Sequence, residues 1–139
     1  MTVIVTDAGF GPEDWDQGFT PLAEAGPDSV ALDLPSDTDT GALIGALGGR
    51  LQGVRMIRVD FPSFADGRGF TIARRLRLMG YAGRLRARGH VIADQYAMAR
   101  RGGFDEVEIS DDLAARQPRD QWLFRADWPR HDYQARLRG

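Results

Sequence analysis

Short apolar runs alternate with helix-patterned stretches along most of this chain, and glycine or proline separates nearly every pair. Residues 2–5, 29–34, 54–59, 85–87 and 105–109 read as strands, rich in β-branched side chains or alternating apolar with charged ones. Between them, Asp37, Thr38, Asp39 and Thr40 offer N-caps to an apolar helix that Gly48 and Gly49 stop. A second helix is predicted over 70–79, with Ile72, Ala73, Leu76 and Met79 as its buried stripe, and a third over 91–101, with Ile92, Tyr96 and Ala99 inward. Asp111 and Asp112 cap a fourth, through Ala115. Residues 13–25 are weakly patterned, fitting one or two short helical turns, and 122–133 read as an aromatic, irregular tail. Strand–helix alternation with short loops implies an α/β fold: one domain over 1–139, a mostly parallel sheet of about five strands with helices packed on it. A doubly wound sheet and an incomplete barrel both satisfy this pattern.

A chain of 139 residues buries enough apolar surface to fold without metal or disulfide staples. It has no run long enough for a membrane span and no secretory-type start over residues 1–10, so a cytoplasmic location is expected. Zero cysteines exclude a disulfide, a thiolate nucleophile, Cys-ligated zinc and an ordinary iron–sulfur cluster from this chain. Lysine is absent too, so all 18 basic residues are arginine, and a P-loop lysine or Schiff base is impossible. With only His90 and His131 near neutrality, neither a metal site nor an intrinsic cofactor is expected.

Net charge is −2, but the charges are segregated. Residues 1–49 hold nine acids and no base, whereas 50–101 hold twelve arginines against Asp60, Asp66 and Asp94. Either the acidic segment folds back to neutralise the basic one, or the basic segment presents a surface to an anionic ligand or an acidic partner. The acidic balance and the lack of a nucleic-acid motif argue against nucleic acid.

Ligand chemistry in parallel α/β folds collects where strands end. Asp7, Asp33 and Asp60 lie at such ends, either bonding loop and helix N–H groups or serving as acid/base residues. The richest segment runs from Asp60 through Asp66-Gly67-Arg68-Gly69 to Arg74. Gly67 and Gly69 flank Arg68 just before a helix, an arrangement open to two readings. In one, the glycines let backbone approach an oxyanion held by Arg68; in the other, Asp66 closes a turn and pairs with Arg68. A second cluster holds Arg86, Arg88 and His90, then Asp94 and Gln95 in a helix first turn, where Asp94 can orient Arg68 or Arg86. The candidate ligand-binding residues are therefore Gly67, Arg68, Gly69, Arg74, Arg86 and Gln95. Asp60, Asp66 and Asp94 are the candidate acid/base groups.

These residues also carry a family likeness. Phe61-Pro62, Phe64, Asp66-Gly67-Arg68-Gly69-Phe70, Ala73-Arg74, Leu76-Arg77, Gly80-Tyr81, Gly83, Leu85-Arg86-Ala87, Gly89, Asp94-Gln95 and Gly103-Phe104-Asp105 resemble domain-of-unknown-function family 934. The likeness is closest over 54–109 and extends to Asp132-Tyr133-Gln134; His90 stands where the family pattern usually has Asp. Members are assigned to sulfite reduction as oxidoreductases and occur alongside sulfite reductase. The resemblance thus implies an accessory or electron-transfer-associated component of assimilatory sulfite reduction, with sulfite reductase or another sulfur-assimilation protein as partner. Residue chemistry adds no redox centre of its own: Gly67-Arg68-Gly69 lacks the third glycine of a dinucleotide site. Two alternatives stand beside this reading: an α/β enzyme acting on a sulfur oxyanion or phosphorylated small molecule, and a structural adaptor docking an acidic partner.

Overall fold

The structure, a computed structural model, describes residues 2–126. Seven strands form one sheet: β1 (Thr2–Thr6), β2 (Gly9–Gly11), β3 (Thr20–Pro21), β4 (Ala31–Leu34), β5 (Met56–Phe61), β6 (Arg84–Gly89) and β7 (Glu106–Ser110). Five helices accompany them: α1 (Thr40–Ala46), α2 (Arg68–Leu78), α3 (Tyr96–Gly102), α4 (Asp111–Arg116) and α5 (Arg119–Arg125). The sheet order is β2-β1-β7-β6-β5-β4-β3. Strands β3 to β7 are mutually parallel, and β1 runs antiparallel to both β7 and β2.

The two strands beyond the expected five are β2 and β3, of three and two residues, too short to impose a period on the sequence. Residues 13–25 supply β3 and a single 3-10 turn, Leu22–Glu24. Residues 91–101 divide into a 3-10 turn (Ala93–Gln95) and α3. Helix α4 takes its cap from Ser110, whose Oγ accepts the Leu113 N–H, with Asp111 and Asp112 in the first turn. The start of the supposed irregular tail is helical, because Trp122 is pulled into the core at 1 % exposure. Asp132, Tyr133, Gln134 and His131 lie outside the described residues.

Because β3 to β7 are in sequence order, right-handed crossovers deliver every intervening helix to the same side. A doubly wound sheet would reverse its order at a switch point; this sheet does not. One face is therefore apolar and covered. Leu32, Ile57, Val59, Leu85, Ala87, Val107 and Ile109 meet Leu43, Leu47, Ile72, Leu76, Tyr96 and Trp122 in a continuous core. Alternation along the strands then forces the remaining side chains to the other face, where few are apolar.

The carboxyl edges of β5 and β6 are locked together at Gly89. Its φ of +111° suits glycine, and a Cβ there would lie 2.7 Å from the Phe61 carbonyl oxygen. His90 N–H donates to that same carbonyl at 2.9 Å. Gly89→Ala should cost about 1–3 kcal/mol, as a strained backbone position does, read as a lowered urea midpoint with unchanged m-value.

Candidate functional site

The uncovered face of the sheet carries Asp33, Arg58, Asp60, Arg84, Arg86, Arg88, Glu106 and Glu108. Strand register sets arginine beside carboxylate: Asp33 opposite Arg58, Arg86 opposite Glu106, and Arg88 opposite Glu108. Arg58 grips Asp33 through Nε (3.1 Å) and Nη2 (2.7 Å), and reaches Glu108 through Nη1 (3.1 Å). Arg86 donates from Nε to Glu106 (2.7 Å) and from Nη1 to Glu108 (2.9 Å). Arg84 takes the other side of Glu106.

The β7 acids alternate with the core residues Val107 and Ile109, the pattern of a half-exposed strand. Instead Glu106 and Glu108 are each 4 % exposed, since the arginines of β5 and β6 supply partners that water would otherwise provide. Arg86 is completely buried. Burial alone would weaken its hold on the proton; the Glu13 hydrogen bonds and the fields of Glu106 and Glu108 outweigh it, so its pKa is raised. Arg58 shows the same balance, with Asp33 and Glu108 opposing desolvation.

Residues 12–19 lie over this lattice as a strap. Glu13 makes a two-pronged contact with Arg86, at 2.5 and 2.9 Å, and Asp14 bonds Arg84 at 2.5 Å. The Phe19 ring sits 3.8 Å from the Arg58 guanidinium carbon, a cation–π contact. Together with Asp7–Arg100 and Asp33–Arg58, these pairs show the acidic N-terminal segment neutralising much of the basic middle one.

Burial tends to raise the Glu13 pKa, but the hydrogen bond and field of Arg86 outweigh it; Asp14 is lowered mainly by its bond to Arg84. Depressed carboxyl pKa values contribute stability above their ordinary values of 4.5 and 3.8, lost as pH falls through the folded ones. The groups facing them are Arg84, Arg86, Glu106 and Glu108. Acidification below about 4 should therefore loosen the strap before the core melts, seen as a change in Trp15 emission while far-ultraviolet circular dichroism is still native.

At the carboxyl edges of β4, β5 and β6 the same face opens into a cavity of about 430 Å³. Asp33, Asp60 and Arg88 form its polar floor, with Pro21, Leu22, Ala23 and Pro35 as walls. Asp60 and Arg88 are register neighbours. Among the described residues the Asp60 carboxylate has no hydrogen-bond or ion-pair partner, and Arg88 has only Glu108, 3.4 Å from its Nε. Arg88 lines the opening, and among the described residues its two terminal nitrogens are uncommitted.

The residues singled out in the sequence are only partly gathered at this edge. Asp66 takes the turn role: its Oδ1 accepts the Arg68 N–H (3.1 Å), and both its oxygens hold the Arg68 side chain. This contact holds the Asp66 carboxyl well below the usual range. Arg68 also donates to Ser36 (2.9 Å). Gly69 is small for packing reasons, since a Cβ there would lie 2.5 Å from the Phe61 ring, while Gly67 has no close neighbour and an ordinary φ. Gln95 is a brace: it accepts from Ile92 N–H and donates to the Phe64 carbonyl, tying the two edge loops together. Phe64 and His90 stack edge-on beside it at 4.9 Å. Asp94 points away to Arg125 (2.9 Å), and Arg74 lines a shallow groove with Met98 between α2 and α3. Arg86 lies in mid-strand under the strap rather than at the edge. Of the three strand-end acids, Asp7 bonds the Tyr96 hydroxyl and Arg100, Asp33 bonds Arg58, and Asp60 alone lacks a partner.

Arg88, Glu13, Asp14, Arg58, Glu106 and Glu108 were not among the candidates. The signal for Arg88, Glu106 and Glu108 was the two-residue spacing of Arg84, Arg86 and Arg88 against that of Glu106 and Glu108. Among the described residues no group of three His, Asp or Glu is placed to hold a metal ion, and no helix is long and apolar enough to cross a membrane.

Fold and site together define an α/β protein with a one-sided helical layer, a charged sheet face and, at its carboxyl edge, a largely apolar pocket with a charged floor. The chain belongs to the family described as bacterial protein of unknown function (DUF934), which it matches over residues 27–138. That span includes Asp33, Asp60 and Arg88 of the pocket, but neither its Pro21, Leu22 and Ala23 wall nor the strap. No curated protein matches the chain, and no solved structure does.

Proposed function

We propose that this protein is an accessory component of assimilatory sulfite reduction, acting in the cytoplasm, which binds a small oxyanion in the edge pocket and works with sulfite reductase or another sulfur-assimilation protein. The observation that supports this reading is the pair at the carboxyl edge, where among the described residues the terminal nitrogens of Arg88 are uncommitted and neighbouring Asp60 has no partner. A guanidinium fork takes two oxygens of an oxyanion. A neighbouring carboxylate accepts a hydrogen bond, so the pair suits a protonated oxyanion, such as hydrogensulfite, over a fully ionised one. Without cysteine the chain offers no thiolate or cluster to carry electrons, so in this reading they come through the partner.

Calorimetric titration with sulfite, sulfate and phosphate tests the binding. Arg88→Ala should weaken sulfite by about 1.5–3 kcal/mol, the worth of a charge-assisted partner. Asp60→Asn should narrow the preference for the protonated anion. Equal heats from wild type and Arg88→Ala would remove the pocket from the account. The uncommitted Asp60 also favours a second reading, an enzyme using it as acid or base on a sulfur oxyanion or phosphorylated molecule. Turnover by the isolated protein would put that reading first.

A further inference from the structure

The strap covers a second arrangement of cations, separate from the edge pocket. We propose that Arg84 and Arg86 form a further anion site on the open sheet face, that Glu13 and Asp14 fill it as built-in carboxylate substitutes, and that a small free oxyanion enters by displacing the strap. Arg86, the nearer of the two, is two residues from Arg88 on β6, about 7 Å at strand rise, but its terminal nitrogens are held by Glu13 and Glu108 rather than turned to the edge pocket.

Three observations carry the proposal. The first is the shape of the contact. Glu13 places its two oxygens on Nη1 and Nη2 of Arg86, at 2.5 and 2.9 Å, the fork geometry that sulfite, sulfate or phosphate would adopt. Asp14 Oδ1 lies between the two guanidinium groups, 2.5 Å from Arg84 Nη2 and 3.6 Å from Arg86 Nη2, where a third ligand oxygen would sit.

The second observation is preorganisation. The inner edges of both guanidinium groups are fixed by Glu106, and Arg86 by Glu108 as well. Their outward edges therefore stay aimed at the strap position whether or not the strap is there. Glu106 and Glu108 also balance the two arginines in charge, so exchanging the two strap carboxylates for a dianion leaves the local charge unchanged.

The third is how lightly the strap is held. No residue from 12 to 19 is buried, and none makes a backbone–backbone hydrogen bond to the rest of the protein. Its own bonds are internal, Trp15 N–H to Glu13 (2.8 Å) and Trp15 Nε1–H to the Gly18 carbonyl (2.7 Å). Attachment thus rests on side chains, Glu13, Asp14 and the Phe19 ring over Arg58. Segments with few buried contacts open at low free-energy cost.

Half-buried Trp15 reports the strap directly, and Arg88→Ala provides a background in which the edge pocket is silenced. In that background, sulfate, sulfite and phosphate should shift Trp15 emission to longer wavelength, while chloride at matched ionic strength should not; Trp15→Phe should abolish the signal. Adding Glu13→Gln and Asp14→Asn removes the internal competitors and should tighten anion binding, by calorimetry, on the order of tenfold, the effect of one charge-assisted bond. The emission titration in the Arg88→Ala background needs no strap substitution, so it stands if the altered strap fails to fold. An unmoved Trp15 spectrum at saturating oxyanion, or no tightening in the folded strap variant, would overturn the proposal.

Discussion

Arg86→Met is expected to be the most damaging single substitution in the sheet, lowering stability by about 3–5 kcal/mol. The loss does not measure the worth of the ion pairs, since well-packed apolar groups often replace such pairs at no cost. It arises because Glu106 and Glu108, each 4 % exposed, would keep their burial and lose the buried cation between them. Against a typical total of about 5–15 kcal/mol, that is a large fraction. Urea unfolding of Arg86→Met measures it. Adding Glu106→Gln and Glu108→Gln, which removes the carboxylates left with one cation fewer, should recover part of the loss. A drop under about 1 kcal/mol for the single variant would mean that water reaches the lattice more freely than its burial indicates.

Trp122→Ala should be nearly as costly, about 3–5 kcal/mol, the usual range for emptying a buried aromatic site. Trp122 packs edge-on to Tyr96 at 6.1 Å and donates its indole N–H to the Gln117 carbonyl at 2.8 Å. It thereby fastens α5 to the helical layer. Phe124 on the same helix is 74 % exposed, and Phe124→Ala should change stability by less than about 0.5 kcal/mol. Thermal unfolding of the two variants separates a docked helix from a merely local one.

What the sequence revealed follows from how far apart the interacting residues lie. Strands β4 to β7 and helices α1 and α2 are legible because each is a patterned run between glycines or prolines. The Asp66–Arg68 turn is legible too, with its partners two residues apart. Strands β2 and β3 are not, because so short a strand exists only through its neighbour. Helix α5 was hidden by reading Trp122 as part of an aromatic tail, when a single buried indole suffices to dock a short helix. The charged face was misread for a different reason. Alternation in β6 and β7 sets arginines and glutamates opposite the core, but it does not distinguish a polar face in water from one that is paired and buried. Glu13 and Arg86 are 73 residues apart, and nothing local shows that they meet. For the same reason Arg86 looked like a free clamp, while Arg88, two residues on, holds the open position at the edge.

The central claim, an oxyanion-binding role in sulfite reduction, is tested most directly by growth of a deletion strain on sulfite as sole sulfur source. The expected result is no growth, rescue by sulfide or cysteine, rescue by the wild-type protein, and failure of stably folded Arg88→Ala to restore it. Normal growth of the deletion strain on sulfite would contradict the pathway. Full rescue by Arg88→Ala would contradict the pocket.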